Sequence, residues 1–113
     1  MMEVDPYGIK QHDNGAKLDA GKPDTSLLLM FGRALLEVSK VSTVGAAKYT
    51  RGGWQFVPEG VQRYTAALLR HLFKENYERL DNDTELLHAA QVAWNALARL
   101  ELLLREDEDG DIN

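Results

Sequence analysis

"RHLFKENYERLDNDTELLHAAQVAWN", Arg70 to Asn95, is the stretch that decides how this chain folds. Its spacing predicts two helices joined by a short turn. His71, Glu75 and Glu78 recur at i, i+4 and i+7, which places them on one face of the first helix. Across the turn, Asp81, Glu85, His88 and Asn95 share a stripe of the second, with Gln91 or Val92 filling the intermediate turn. Asn82-x-x-Glu85 has the form of a capping box, so a helix is expected to start there and run to about Arg105. The preceding helix is expected over Gly60 to Leu80.

Upstream, Pro23-Asp24-Thr25-Ser26 offers several N-caps before an apolar run. A helix is therefore expected from Leu27 to Lys48, with Leu28, Phe31, Leu35, Val38 and Val41 at helical spacing. Gly45 in that helix suggests close packing of a neighbour. Residues 1–23 are polar and carry Pro6, Gly8, Gly15, Gly21 and Pro23, which predicts an extended arm. Residues 106–113 are acidic and without apolar periodicity, which predicts a disordered tail. No segment alternates with period two for long. The expected fold is all-α: three long helices over 24–105, the second and third forming an antiparallel hairpin, plus the arm.

The chain has 113 residues, 44% hydrophobic and 27% charged, the balance of one globular domain. Without cysteine it has neither disulfides nor a zinc-thiolate site. No run of about 18 apolar residues predicts a membrane span, and the first residues lack the apolar core of a secretion signal. A soluble, cytoplasmic protein is expected. The net charge of −5 argues against stable nucleic-acid binding. Leu27 to Phe31 and Leu97 to Leu104 are apolar on more than one helix face, which predicts a homodimer or homotetramer that completes the bundle.

The polar stripe admits two explanations. Acidic side chains gathered at one end of a hairpin repel unless a cation sits among them, and bundle proteins place carboxylate and histidine ligands on facing helices. Equally, Asp81, Asn82 and Asp83 are ordinary helix caps, and Glu75 can pair with Arg79 at i+4. No Walker-type phosphate loop is present and no serine or cysteine nucleophile stands beside a base, so metal-activated water is the expected form of any catalysis.

"GAKLDAGKPDTSLL", "VGAAKYTRGGW", "ALLRHL" and "ERLDNDTELLHAAQVAWNAL", in this order, resemble the phage-type dATP/dGTP diphosphohydrolase N-terminal domain, related to the MazG-like all-α pyrophosphohydrolases. The resemblance covers about residues 15–104. It implies Mg²⁺- or Mn²⁺-dependent hydrolysis of a nucleoside triphosphate to monophosphate and pyrophosphate by a bundle of at least two subunits. Glu75-x-x-Glu78 and Glu78-x-x-Asp81 match the MazG metal elements in spacing, but overlap around one turn instead of lying on two helices. The phage-type pattern has R-H, then G-E, D-P-E-S-G and a late histidine. Arg70-His71, Glu78, Asp81 and His88 keep it, while Thr84-Glu85 stand where the pattern has Ser-Gly.

On this basis Glu78 and Asp81 are the leading metal ligands, followed by Glu75 and His88. His71 is a ligand or orients a carboxylate, and Glu37 is a further ligand or base. Lys17, Lys22, Lys48 and Arg70 are candidates for holding phosphates, with Tyr49 or Trp54 stacking on a base. The competing reading is a non-catalytic helical adaptor, which has no use for buried acids near His71 and His88.

Overall fold

The computed structural model describes residues 3–112 in their backbone and 3–107 in their side chains. The described chain divides into two compact units, with the boundary at Met30 and Phe31.

The first unit is organised by one carboxylate. Asp5 is buried, and its Oδ1 accepts the N–H of Tyr7 at 2.7 Å while Oδ2 accepts that of Lys17 at 2.7 Å. Turns close at Gly8, Gly15 and Gly21, all with positive φ. Among the described residues no helix forms before Thr25. The Lys17 N–H, more than those of Tyr7 and Ile9, holds the Asp5 carboxyl below its ordinary value of 3.8, against the opposing effect of burial. A depressed carboxyl contributes stability above its unfolded-state pKa and loses it as pH falls through the folded value. Amide exchange at Tyr7 and Lys17 should therefore accelerate below about pH 4, and Asp5→Asn should show this loss already at neutral pH. An unchanged Lys17 amide in that variant would remove Asp5 as the organiser.

The second unit holds three α-helices: α1 (Gly32–Lys48), α2 (Gly60–Lys74) and α3 (His88–Ile112). The predicted first helix is split. Thr25–Phe31 winds as a 3-10 helix and only Gly32 onward is α-helical. A short 3-10 turn, Gly53–Phe56, follows the left-handed Gly52. α2 and α3 pack most closely, and α1 lies against α3. The pairing of α2 and α3 is antiparallel: a Cβ on Gly60, at the start of α2, would lie 2.7 Å from Leu102 Cδ1 late in α3. Close approach is thus allowed by Gly60; a Cβ on Gly45 would meet nothing within 4 Å, contrary to the expectation for that residue.

The hairpin departs most from expectation at its tip. α2 stops at Lys74 instead of Leu80, and α3 starts at His88 instead of beside Asn82. Glu75 closes α2 with its N–H on His71 O at 3.1 Å. Beyond it the backbone pairs with itself: Asp81 N–H bonds Leu86 O at 2.8 Å and His88 N–H bonds Arg79 O at 3.1 Å, around a lone Leu80–Leu87 bridge. Asp81 and Thr84 side chains take local backbone N–H groups, those of Asp83 at 2.9 Å and Leu86 at 3.2 Å. Such side chains compete with helix formation, which is why the caps of this segment fold a loop and not a helix end. The predicted capping box is absent, since Glu85 sits at φ 62°.

That φ belongs to the left-handed region that favours glycine, and position 85 is where the resemblance places glycine. Glu85→Gly should raise stability by about 0.5–1 kcal/mol, read as a higher urea midpoint at unchanged slope. An unmoved or lower midpoint would show that the turn is not strained there.

The interior is small and partly polar. Along α3 the buried positions are His88, Gln91, Asn95 and Ala98, spaced three, four and three, with Ala90 beside them. Meanwhile Leu35 and Leu36 of α1 and Leu97, Leu100 and Leu104 of α3 remain exposed. α3 runs on past Arg105 to Ile112, through the segment expected to be an acidic tail; the side chains from 108 onward lie outside the described residues.

Candidate functional site

His88 stands at the first turn of α3 and is fully buried. Its Nδ1 lies 2.8 Å from Nδ1 of His71, which comes from the last turn of α2. One of the two nitrogens must carry the proton and the other accept it. The Nε2 of His88 is buried without a hydrogen-bond partner among the described residues, and Glu78 Oε1 lies 3.7 Å away. A protonated Nε2 facing that carboxylate is the arrangement with least conflict, so His71 is the donor between the two Nδ1 atoms.

Asp81 joins the pair from the loop. One ligand atom each of His71, Asp81 and His88 can be chosen so that all lie within 4.8 Å of one another. Gln91, one turn further along α3 and buried, donates from Nε2 to Asp81 Oδ2 at 3.1 Å and to Thr84 Oγ1 at 3.3 Å. Asn95 Nδ2 in turn donates to Gln91 O at 2.8 Å. The buried polar stripe of α3 is therefore a built support for the loop and not a solvated face.

Electrostatics keep the cluster in the ligating state. Burial is the main reason that the His71 pKa falls below its ordinary 6.5; Asp81 opposes this, and His88, Lys74 and Arg70 add to the lowering. The ring is thus neutral near pH 7, with a lone pair to offer. For Asp81 burial alone would raise the pKa, but the Asp83 N–H, the Gln91 amide and the two imidazoles outweigh it, so the carboxyl lies below 3.8. The chemistry of this donor set, two imidazoles and a carboxylate, fits a divalent ion.

The cluster borders a cleft of about 1060 Å³ formed by α1, the loop after it, α2 and α3. His71, Asp81, Gln91 and Asn95 line one part, and Lys48, Arg51, Arg63 and Arg70 bring positive charge to the same space. Lys48 Nζ pairs with Asp83 Oδ2 at 3.2 Å, chiefly through which its pKa is raised, and lies 5.4 Å from the Tyr49 ring centre. Trp54 and Trp94 meet edge to face at 5.9 Å, and Tyr64 meets Trp94 at 5.6 Å. The Tyr64 hydroxyl donates to Trp54 O at 2.7 Å, which fixes the loop that carries the tryptophan.

Of the residues singled out from the sequence, the fold gathers His71, Asp81 and His88, with Glu78 beside His88. Lys48, Tyr49, Trp54 and Arg70 line the cleft. Glu75 is exposed at the end of α2, outside the cluster. Glu37 pairs with Lys40 on α1 at 2.7 Å and is not among the cleft residues. Lys17 and Lys22 belong to the first unit, where Lys22 pairs with Glu3 at 3.1 Å. Gln91, Asn95, Trp94, Arg51 and Arg63 were missed as site residues. The spacing His88, Gln91, Asn95 was a readable signal for the first two, whereas nothing local marks the arginines.

The family model for the dATP/dGTP diphosphohydrolase N-terminal domain matches residues 12–111. A dATP/dGTP diphosphohydrolase of Salmonella phage PMBT28 is 36% identical over 80 residues, covering 70% of this chain and 26% of that protein. The match thus spans about a quarter of the length of the curated relative. No solved structure matches the chain significantly. With nearly its whole described length matched by the family model, the chain belongs to the dATP/dGTP diphosphohydrolase N-terminal domain family.

Proposed function

We propose that the chain is a metal-dependent nucleoside triphosphate pyrophosphohydrolase acting on purine deoxynucleotides, dATP or dGTP, and releasing the monophosphate and pyrophosphate. The observation that carries this reading is the His71–Asp81–His88 cluster on the wall of a cationic, aromatic-edged cleft. The name of the phage relative supplies the substrate class. His71, Asp81 and His88 would hold a divalent ion such as Mg²⁺ or Mn²⁺, which when bound supplies charge neutralisation for the triphosphate and an acidified water.

The chain's own residues do the rest. Gln91 fixes the Asp81 carboxylate by its 3.1 Å hydrogen bond. Arg70, one residue before His71, Arg63 two turns earlier on the same helix, and Lys48 and Arg51 at and after the end of α1 hold phosphate oxygens by charge. Tyr49, exposed at the mouth, and Trp54 offer ring faces for the base. The exposed leucines of α1 and α3 support a homodimer or homotetramer that covers them. Among the described residues no helix is long and apolar enough to cross a membrane.

A non-catalytic adaptor would use the same apolar faces, but leaves the buried histidine pair and its Gln91 support without a purpose. The test is incubation of the protein with Mg²⁺, Mn²⁺ or Co²⁺ and a panel of nucleoside triphosphates. Pyrophosphate and monophosphate in equal amounts are expected, fastest from dATP or dGTP. Absence of turnover with every ion at micromolar protein would discard the hydrolase reading in favour of the adaptor.

A further inference from the structure

Resting on the reading that the cluster holds a divalent ion, we propose that the site takes an imidazole-seeking ion of the Co²⁺, Zn²⁺ or Fe²⁺ kind in preference to Mg²⁺. Glu78 then lies outside the ligand set and orients His88.

Three observations lead there. First, two of the three gathered ligands are imidazoles. Mg²⁺ is held through oxygen ligands and retained waters, whereas neutral imidazole favours the later first-row ions. Second, the two Nδ1 atoms lie 2.8 Å apart. Ligands at right angles and about 2.1 Å from an ion lie about 3 Å apart, so the pair needs to open by only a few tenths of an ångström. The ring centres lie 5.1 Å apart, so the two nitrogens face each other in line, and each ring must also turn to aim its lone pair at a shared ion.

The third observation concerns the far nitrogen of His88. If Nδ1 gives its lone pair to an ion, the ring proton must sit on Nε2, which is buried and has no hydrogen-bond partner. A buried donor left so loses its hydration with nothing in return. The carboxylate of Glu78, with Oε1 at 3.7 Å, is placed to accept it after a small closure. Glu78 is not part of the compact set that His71, Asp81 and His88 form. Carboxylate, histidine and metal in line is the usual means by which a protein fixes the tautomer of a metal-bound imidazole.

The experiment is equilibrium binding of each ion alone to the full, metal-stripped chain by calorimetry, without nucleotide. Co²⁺ and Zn²⁺ should bind at least about 100-fold more tightly than Mg²⁺, with Mn²⁺ between them. Mg²⁺ within about tenfold of Co²⁺ would overturn the proposed selectivity while leaving a metal-dependent hydrolase intact. No uptake of any ion would overturn both. Glu78→Gln keeps an acceptor oxygen and should hold Co²⁺ within about threefold of the native chain, whereas Glu78→Ala should weaken it about 10–100-fold. A glutamine variant as weak as the alanine one would make Glu78 a ligand and sink its orienting role. Should the alanine variant lose its helical circular dichroism, the glutamine variant alone decides.

Discussion

Asp81→Asn should lower nucleotide turnover by about 100-fold or more while leaving most of the helical signal intact. The substitution preserves shape and removes the charge from the ligand set. It also forces a choice on the loop, because Asp81 accepts the Asp83 N–H on Oδ1 and the Gln91 amide on Oδ2. An asparagine has one acceptor oxygen, so its NH₂ must face one of those two donors. The expected cost is about 1–3 kcal/mol of stability, visible as a lower melting temperature. Pyrophosphate release and thermal melting measured on the same sample separate the two effects. Turnover within a few-fold of the native chain would place the chemistry elsewhere in the cleft.

Trp94→Ala should be the most destabilising single change in the second unit outside the cluster. The ring packs edge to face against Trp54 at 5.9 Å and Tyr64 at 5.6 Å, and its Nε1 donates to Ser42 Oγ at 2.9 Å. It therefore ties α3 to α1 and to the loop before α2. Truncating a fully buried tryptophan costs about 3–5 kcal/mol; Trp94 is only half-buried, so about 2–3 kcal/mol is expected. For a chain of this size that is a fall of roughly 10 °C in melting temperature. Ser42→Ala removes the single exposed hydrogen bond and should cost about 1 kcal/mol or less. If Trp94→Ala and Ser42→Ala melt alike, the aromatic cluster is not what joins the helices.

Trp94→Ala probes contacts between residues distant in sequence, which local spacing does not reveal. Local spacing was enough to identify three helices and an antiparallel hairpin, because the 3.6-residue period of Leu35, Val38 and Val41, or of His88, Gln91 and Asn95, is a property of neighbours. Local rules failed between Glu75 and Leu87. There Asp81, Asn82, Asp83 and Thr84 look like caps, and they do bind backbone N–H groups, but they close a loop.

The site followed the same division. Which residue types would bind an ion was written in the sequence: histidines and carboxylates crowded about one turn of a hairpin. Their partition was decided by the tertiary fold. Glu75 stays in solvent at the end of α2, while the backbone pairing of Asp81 with Leu86 and of His88 with Arg79 brings Asp81 and His88 to His71. The cations came together the same way, since Lys48, Arg51, Arg63 and Arg70 meet only when α1 and α2 flank one cleft. A helix period fixes which side chains share a face; which of them lose water and meet depends on where the chain turns back, and here that depends on one aspartate with two accepting oxygens.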